Sequence, residues 1–594
     1  MISYLPPALI FILGAALIPL LQGRTRQVYV VFLPLLGLLN LMALPEGATW
    51  VFNFMNYELI LCRVDNLTMV FAYIFVIMTL AGAIFALHLK QPGELVAGFL
   101  YAGSSLGVVF AGDLFSLFIY WEVMALASVM LIIARKTKGA SAAGGRYIMV
   151  HLFGGLLLFA GIVMHITETG SMAFDFIGLS GLASSLILAG FALNAAIPPL
   201  SAWLSDAYPE STVVGTVFLS AFTTKTAVYV LARGFPGTEL LMWAGAIMTL
   251  YGIVYAILEN DMRRVLAYSI INQVGFMITG IGIGTALALN GAASHAFAHI
   301  LYKALLMMSA GAVLYMTGKS KCTELGGLYK SMPITMILCC VGAASISSFP
   351  LTGGFTTKSM IVSAAGYEHF TAIWLILMVA SAGVFLHAGI KFPYFVFFAK
   401  DSGLRSKEPP LNMLVAMGFL AFLCIAVGVY PQPLYALLPY PVDYVAYTGD
   451  HVVGQLQILF FSALAFFMLL KWLKRTETIS LDTDWVYRRA LPALLSLIGP
   501  PAATVSNRVG VFFIETIPKA LVWFGQNPTG ITKVALYRTF IAGRTRTSKA
   551  ASDRELALIR KNGPSLVLRP WSIGSAIAFV TLFLGLYLIF YYLF

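Results

Sequence analysis

Charge is scarce in this chain. Only 10% of its 594 residues are charged, against roughly 25% in an ordinary soluble domain, and that shortage excludes a water-exposed globular fold. Cysteine is scarce too: Cys62, Cys322, Cys339, Cys340 and Cys424 form no CxxC pair and lie mostly in apolar surroundings, so they read as structural residues rather than cluster ligands. Neither a phosphate-binding loop nor a dinucleotide fingerprint is present. The chain is therefore expected to hold no cofactor, metal or redox centre of its own, and its energy must come from an ion gradient or a partner.

What fills the sequence instead is apolar: 60% of residues, with a mean hydropathy of +0.88. Apolar runs of about 20 residues recur, each long enough to cross a hydrocarbon core of roughly 30 Å as a helix. About sixteen can be drawn, at 4-22, 28-44, 65-88, 94-112, 113-134, 144-166, 179-200, 212-234, 238-258, 262-285, 287-317, 332-366, 369-397, 411-431, 451-473 and 571-593. None alternates as a lipid-facing barrel strand does, so the expected class is an all-α polytopic membrane protein. The first run lacks a basic leader and a cleavage site and reads as a retained helix.

Basic residues fall in every second loop: Arg24 and Arg26, then Lys90, then Arg135, Lys136, Lys138 and Arg146, then Arg263 and Arg264, then Lys319, Lys321 and Lys330. Such loops face the cytoplasm, which places both termini outside and the chain in a bacterial-type inner membrane. Between Lys474 and Arg569 there are 15 Lys or Arg against 6 Asp or Glu. This segment, 474-570, is expected to lie on anionic lipid headgroups as interfacial helices; nucleic-acid binding is not expected beside membrane spans. Pro500, Pro501, Pro518 and Pro528 argue against one unbroken helix there.

A charged side chain at mid-bilayer costs roughly 2.5–3.5 kcal/mol on insertion scales and usually marks an ion path. Glu122 and Lys225 each sit near the middle of a span. His295, His299 and Lys303, in "ASHAFAHILYKALL", are spaced i, i+4 and i+8, which puts them on one helix face. A desolvated amine and an imidazole can both exchange protons near neutral pH, so the ladder points to proton transfer. His151 and His165, which stand alone, read as packing residues. The stretches "GFALNAAIPPLSAWLSDA" and "SISSFPLTGGFTTKSMIV" interrupt helices with Pro or Gly, with Asn194 at the first break and Lys358 at the second; paired broken helices suggest an inverted repeat around an ion site.

Six motifs in order, "DLFSLFIYWEVMALASVML", "PLSAWLSDAYPES", "LENDMRRVLAYSIINQVGF", "HAFAHILYKALL", "GGLYKSMPIT" and "FPLTGGFTTK", resemble the antiporter-like subunits shared by respiratory complex I, Mrp-type cation/proton antiporters and membrane-bound hydrogenases. The pattern is most similar to the D component of the Mrp antiporters and covers about residues 60 to 400. The resemblance implies two inverted five-helix repeats, 94-234 and 238-397. These would be flanked by N-terminal helices (1-93), further helices (398-473), the basic segment and a last helix (571-594).

It also implies roles. Glu122, Lys225, Lys303 and Lys358 would pass charge along the mid-membrane, and His295 and His299 would load Lys303. His387 and Lys391 are additional candidates. Three positions depart from the family: Asn194 replaces a lysine, Ser201 a histidine and Ala298 an asparagine. Position 194 cannot bind a proton, which puts the first half-channel in doubt. The implied partners are other membrane subunits, protons, and sodium or potassium ions. The implied function is the proton-translocating subunit of an Mrp-type antiporter or of a complex I or hydrogenase-like redox pump. Whether it belongs to an enzyme complex stays open. So do a carrier working alone or with one partner, and a structural module with a vestigial channel.

Overall fold

The computed structural model describes residues 5–47, 49–54, 57–471, 482–483 and 485–526, together with short pieces between 553 and 587. The chain divides into two units, Met1–Tyr487 and Arg488–Phe594.

In the first unit, α1 (Pro7–Leu17) and α2 (Gly23–Ala43) lead into a hairpin of β1 (Thr49–Phe54) and β2 (Tyr57–Arg63). Then follow α3 (Asn66–Phe85), α4 (Gly93–Phe110), α5 (Leu114–Ile133), α6 (Lys138–Thr169), α7 (Leu182–Asn194), α8 (Ala202–Ala207), α9 (Val213–Leu219) and α10 (Thr223–Gly234). The next group is α11 (Glu239–Leu258), α12 (Met262–Ile283), α13 (Ala286–Thr317), α14 (Pro333–Ile346), α15 (Gly353–Tyr367) and α16 (Thr371–Val384). The unit ends with α17 (Leu411–Val429), the short α18 (Gln432–Tyr435) and α19 (Gly449–Met468). Twelve helical segments among the described residues are long and apolar enough to span a membrane, taking α9 with α10 as one and α16 with the winding that continues it to Phe398 as another; α1, α7 and α14 are shorter apolar helices. The expected span at 571-593 lies largely outside the described residues.

Side-chain caps start many of these helices. Asp65 accepts from the Thr68 amide at α3, Asp113 from Ser116 at α5, and Asp261 from Arg263 and Arg264 at α12, each satisfying an amide that has no partner inside its helix. Small residues decide the closest packing. A Cβ added to Gly245 on α11 would collide with the Thr279 amide nitrogen, and one on Gly275 of α12 would lie 2.7 Å from the Gly245 carbonyl. Only glycine lets the two backbones approach so closely.

Several expectations need correction. The run 212-234 is not one helix: it breaks at residues 220–222 between α9 and α10. The run 369-397 leaves α geometry after Val384, winding as π-helix through Phe385–Lys391 and Tyr394–Phe398. The hairpin 49–63 had no counterpart among the expected elements. It is pinned at the end of α4, where the Gly112 amide donates to the Ile60 carbonyl at 2.8 Å and the Ile60 amide to Asp113 at 2.7 Å.

In the second unit, helix runs without interruption from Leu491 to Gln526, as α20 (Leu491–Gly510), a π-helical stretch Val511–Thr516 and α21 (Ile517–Gln526). Pro500, Pro501 and Pro518 therefore do not end it, contrary to expectation. A proline removes one backbone hydrogen bond and crowds the carbonyl four residues back. The wider π turn just before Pro518 relieves that crowding. Pro528, most of the basic residues and much of the rest of segment 474-570 lie outside the described residues.

Candidate functional site

α13 is buried through most of its length, and His295, His299 and Lys303 are each fully buried. The polar face of α12 lies against them. Lys303 Nζ donates to Ser269 Oγ at 2.7 Å. His295 Nε2 lies 3.1 Å from Gln273 Oε1, which also accepts from the Tyr302 hydroxyl at 3.0 Å. Gln273 Nε2 donates to Asn272 Oδ1 at 2.5 Å, and Asn272 Nδ2 donates to the Thr249 carbonyl of α11 at 2.7 Å. On the other side, His295 Nδ1 is 3.3 Å from Thr357 Oγ1 of α15. Both ring nitrogens of His299 are without a hydrogen-bond partner among the described residues, and its ring stands edge-on to Tyr302 with centroids 5.2 Å apart.

Lys225 sits just past the break between α9 and α10. The break frees backbone acceptors, and Lys225 Nζ takes one of them, the Ser220 carbonyl, at 2.6 Å. It is close enough to His299 and Lys303 for its charge to act on both. Lys358 follows the break between α14 and α15. Its Nζ lies 5.3 Å from the centre of the Phe276 ring and has no hydrogen-bond partner among the described residues. A cavity of about 290 Å³ adjoins it, lined also by Ser359, Ser363, Asp450, His451 and Gln455. The structure thus brings Lys225, His295, His299, Lys303 and Lys358 into one buried region. None of these three lysines pairs with a carboxylate among the described residues.

The remaining candidates behave differently. Glu122 is only half-buried, on the α6 side of α5; its Oε1 presses so closely on Gly155 that a Cβ added there would overlap it. Asn194 is fully buried, with neither side-chain polar atom bonded among the described residues. Lys391 caps α11: its Nζ donates to the carbonyls of Ala256 at 2.5 Å, Ile257 at 2.7 Å and Glu259 at 2.8 Å. That accounts for its burial without transport. His387 is buried, holds the Gly383 carbonyl at 2.8 Å through Nδ1, and lies within electrostatic reach of Lys303 and Lys358. His151, read as packing, is stacked on Tyr147 at 3.9 Å.

Residues 111–385 match the family model described as NADH:quinone oxidoreductase/Mrp antiporter, transmembrane. NADH-quinone oxidoreductase subunit N of Desulforudis audaxviator is 30% identical over 382 residues, 58% of this chain and 76% of that protein. The chain belongs to this antiporter-like family. Another relative of the family, the D component of the Na(+)/H(+) antiporter of Alkalihalophilus pseudofirmus, is 32% identical over 287 residues, 45% of this chain and 58% of the relative. Across the first four curated relatives the chain covers between 40% and 62% of their length. A chain of the membrane-bound sulfane sulfur reductase, an archaeal respiratory membrane complex, shares the antiporter-like fold at a TM-score of 0.68 and 23% identity, over 94% of this chain and 99% of that one.

Sequence reasoning passed over the partners of the ladder. Ser269, Asn272 and Gln273 stand in "LAYSIINQVGF", and their spacing of three and four inside an apolar span marks a polar helix face. That spacing could have found them. Asp482 was passed over as well: it is buried, accepts from the Tyr268 hydroxyl at 2.5 Å and from the Tyr251 hydroxyl, and lies 3.5 Å from Ser205 Oγ.

Proposed function

We propose that this chain is the proton-translocating membrane subunit of a multisubunit complex, of the Mrp antiporter type or of the complex I and hydrogenase type. Protons move along a mid-membrane axis built from Lys225, Lys303 and Lys358, with His295 and His299 between them and Glu122 at the far end of the first repeat. The observation that carries this reading is the set of three buried lysines without carboxylate partners among the described residues, gathered around two histidines. An uncompensated ammonium in a low-dielectric interior costs several kcal/mol. Side chains kept at that cost serve a carried ion rather than the fold.

The parts of the chain fall into place around that axis. Residues 94-234 and 238-397 form two inverted repeats, each interrupted near its fourth span, at Asn194 and before Lys358. The basic loops face the cytoplasm and both termini lie outside. The cavity beside Lys358 supplies room for water on that lysine's route to the outer side. Asn194 leaves the first repeat without its own mid-helix base, so Lys225 is the titratable centre there. The long helix from Leu491 to Gln526, about 50 Å at 1.5 Å per residue, carries exposed Leu494, Leu497, Phe512, Phe513 and Ile514 beside Arg508 and Lys519; it suits a lipid interface or an arm along neighbouring subunits.

The test is proton uptake into liposomes holding the purified complex, driven by a potassium diffusion potential clamped with valinomycin. Lys303→Ala abolishes uptake if the reading is right. Equal rates in wild type and variant would leave a structural module, and full activity of the lone polypeptide would leave a self-sufficient carrier.

A further inference from the structure

Hydrogen-bond bookkeeping around His295 fixes more than its position. The Thr249 carbonyl can only accept, so Asn272 must present Nδ2 to it and turn Oδ1 toward Gln273. That oxygen in turn can only accept, so Gln273 presents Nε2 to it and Oε1 to His295 and Tyr302. Gln273 Oε1 accepts as well. The Tyr302 hydroxyl also lies 3.4 Å from His295 Nε2 but is nearer Oε1, at 3.0 Å. With that hydroxyl donating to Oε1, Nε2 of His295 is left to carry a hydrogen whatever the charge on the ring, an assignment made from the network.

Only Nδ1 is left to gain or lose a proton. It faces Thr357 Oγ1 at 3.3 Å, and the same hydroxyl lies 2.8 Å from the Gly353 carbonyl one turn back on α15. A hydroxyl has one hydrogen and can donate to one of these at a time. With Nδ1 bare, Thr357 donates to the ring. With Nδ1 protonated, the ring donates to Oγ1 and the hydroxyl hydrogen goes back to Gly353.

We propose that Thr357 is a two-position hydroxyl gate for the proton on His295 Nδ1, with Gln273 as the residue that holds the ring in the required tautomer. The proposal rests on the proton-translocating reading and assigns it a side: the exchangeable proton enters and leaves His295 toward α15, where Lys358 is the next residue. No electron or covalent bond other than N–H and O–H is involved; the proton arriving at Nδ1 is the one that departs. Phe276 neighbours both groups, its ring centre 6.3 Å from that of His295 and 5.3 Å from Lys358 Nζ. The other groups facing His295 are His299 and Tyr302 on its own helix and Gln273 on α12; Lys225 acts on it through its charge. His299, with neither nitrogen bonded among the described residues, has no such gate.

The experiment uses the full complex in liposomes, with valinomycin-driven proton uptake as readout, and compares Thr357→Val, Thr357→Ser and Lys303→Ala. Thr357→Val keeps the shape and removes the hydroxyl, and is expected to slow uptake by about tenfold, the scale of one lost hydrogen bond to a charged group. Thr357→Ser is expected to stay near wild type. Wild-type uptake in Thr357→Val overturns the gate while Lys303→Ala still fails. Wild-type uptake in Lys303→Ala overturns instead the underlying function.

A second measurement reads the wild-type ring directly: nitrogen-15 NMR of histidine-labelled protein, with His295 assigned by its loss in His295→Asn. A ring protonated at Nε2 at alkaline pH is expected. An Nδ1-protonated neutral ring overturns the proposal.

Discussion

Ser269→Ala is the sharpest perturbation of the Lys303 site. Ser269 Oγ stands 2.7 Å from Lys303 Nζ, and the substitution removes one oxygen from a fully buried position without adding bulk. A hydrogen bond to a charged group contributes about 1.5–3 kcal/mol. If the protonated lysine is an intermediate in transport, the variant raises its free energy by that amount. At about 1.36 kcal/mol per factor of ten, uptake should fall by about ten- to 150-fold. The assay is proton entry into liposomes under a clamped potassium potential, read with a trapped pH dye, so that no assumption about the driving partner is needed. Ser309→Ala is the control. Its hydroxyl donates at 2.8 Å to the Leu305 carbonyl of its own helix, and its loss should leave uptake unchanged. A wild-type rate in Ser269→Ala, with Lys303→Ala inactive, would refute the claim that charge on Lys303 is carried through this contact.

Other sites lend themselves to equally direct checks. Gly155→Ala should drive the Glu122 carboxylate from its place on α6 and lower stability by about 1–3 kcal/mol; a double-mutant cycle should show the loss relieved in the Glu122→Ala background, and additive losses would contradict it. Asp482→Ala strips the acceptor from Tyr251 and Tyr268. It should cost about 1–3 kcal/mol and speed hydrogen exchange in α11 and α12 around those two tyrosines; unchanged exchange would argue against a holding role for Asp482. At Asp65, burial opposes the charge, but the Arg233 guanidinium and the Thr68 amide outweigh it and hold the carboxyl below its ordinary value. Its contribution is therefore whole above about pH 4, the unfolded value, and is lost as pH falls through the lower folded one. The melting-temperature gap between wild type and Asp65→Asn should stay constant from about pH 7 to 5 and close under strong acid.

Most membrane spans were legible because twenty apolar residues leave few alternatives in lipid. The breaks at 195–201 and 347–352 were legible because proline and glycine disfavour a continuous ladder of hydrogen bonds. The break at residues 220–222 was not: "FLSAFTTKT" contains neither residue, and its polar groups look like decoration until Lys225 Nζ is seen on the Ser220 carbonyl. The hairpin 49–63 hid between two spans. Its strands are six and seven residues long, and they are held in place by Gly112 and Asp113, far along the chain. The uninterrupted helix across Pro500, Pro501 and Pro518 shows the opposite error, a strong local rule overruled by the chain, with a change of winding only just before Pro518. At the site itself, the ladder on α13 could be read from its spacing. The function of Lys391 could not, since its three acceptors are backbone carbonyls at the end of α11, and carbonyls leave no mark in a sequence.

The wide-turned stretch from Phe385 to Lys391 has a bearing on how this chain tolerates change. A π turn holds about one residue more than an α turn over the same rise, so deletion of a single residue there can be absorbed by tightening into ordinary α geometry. A one-residue change of length at this end of the helix would thereby leave the facing of the spans on either side intact.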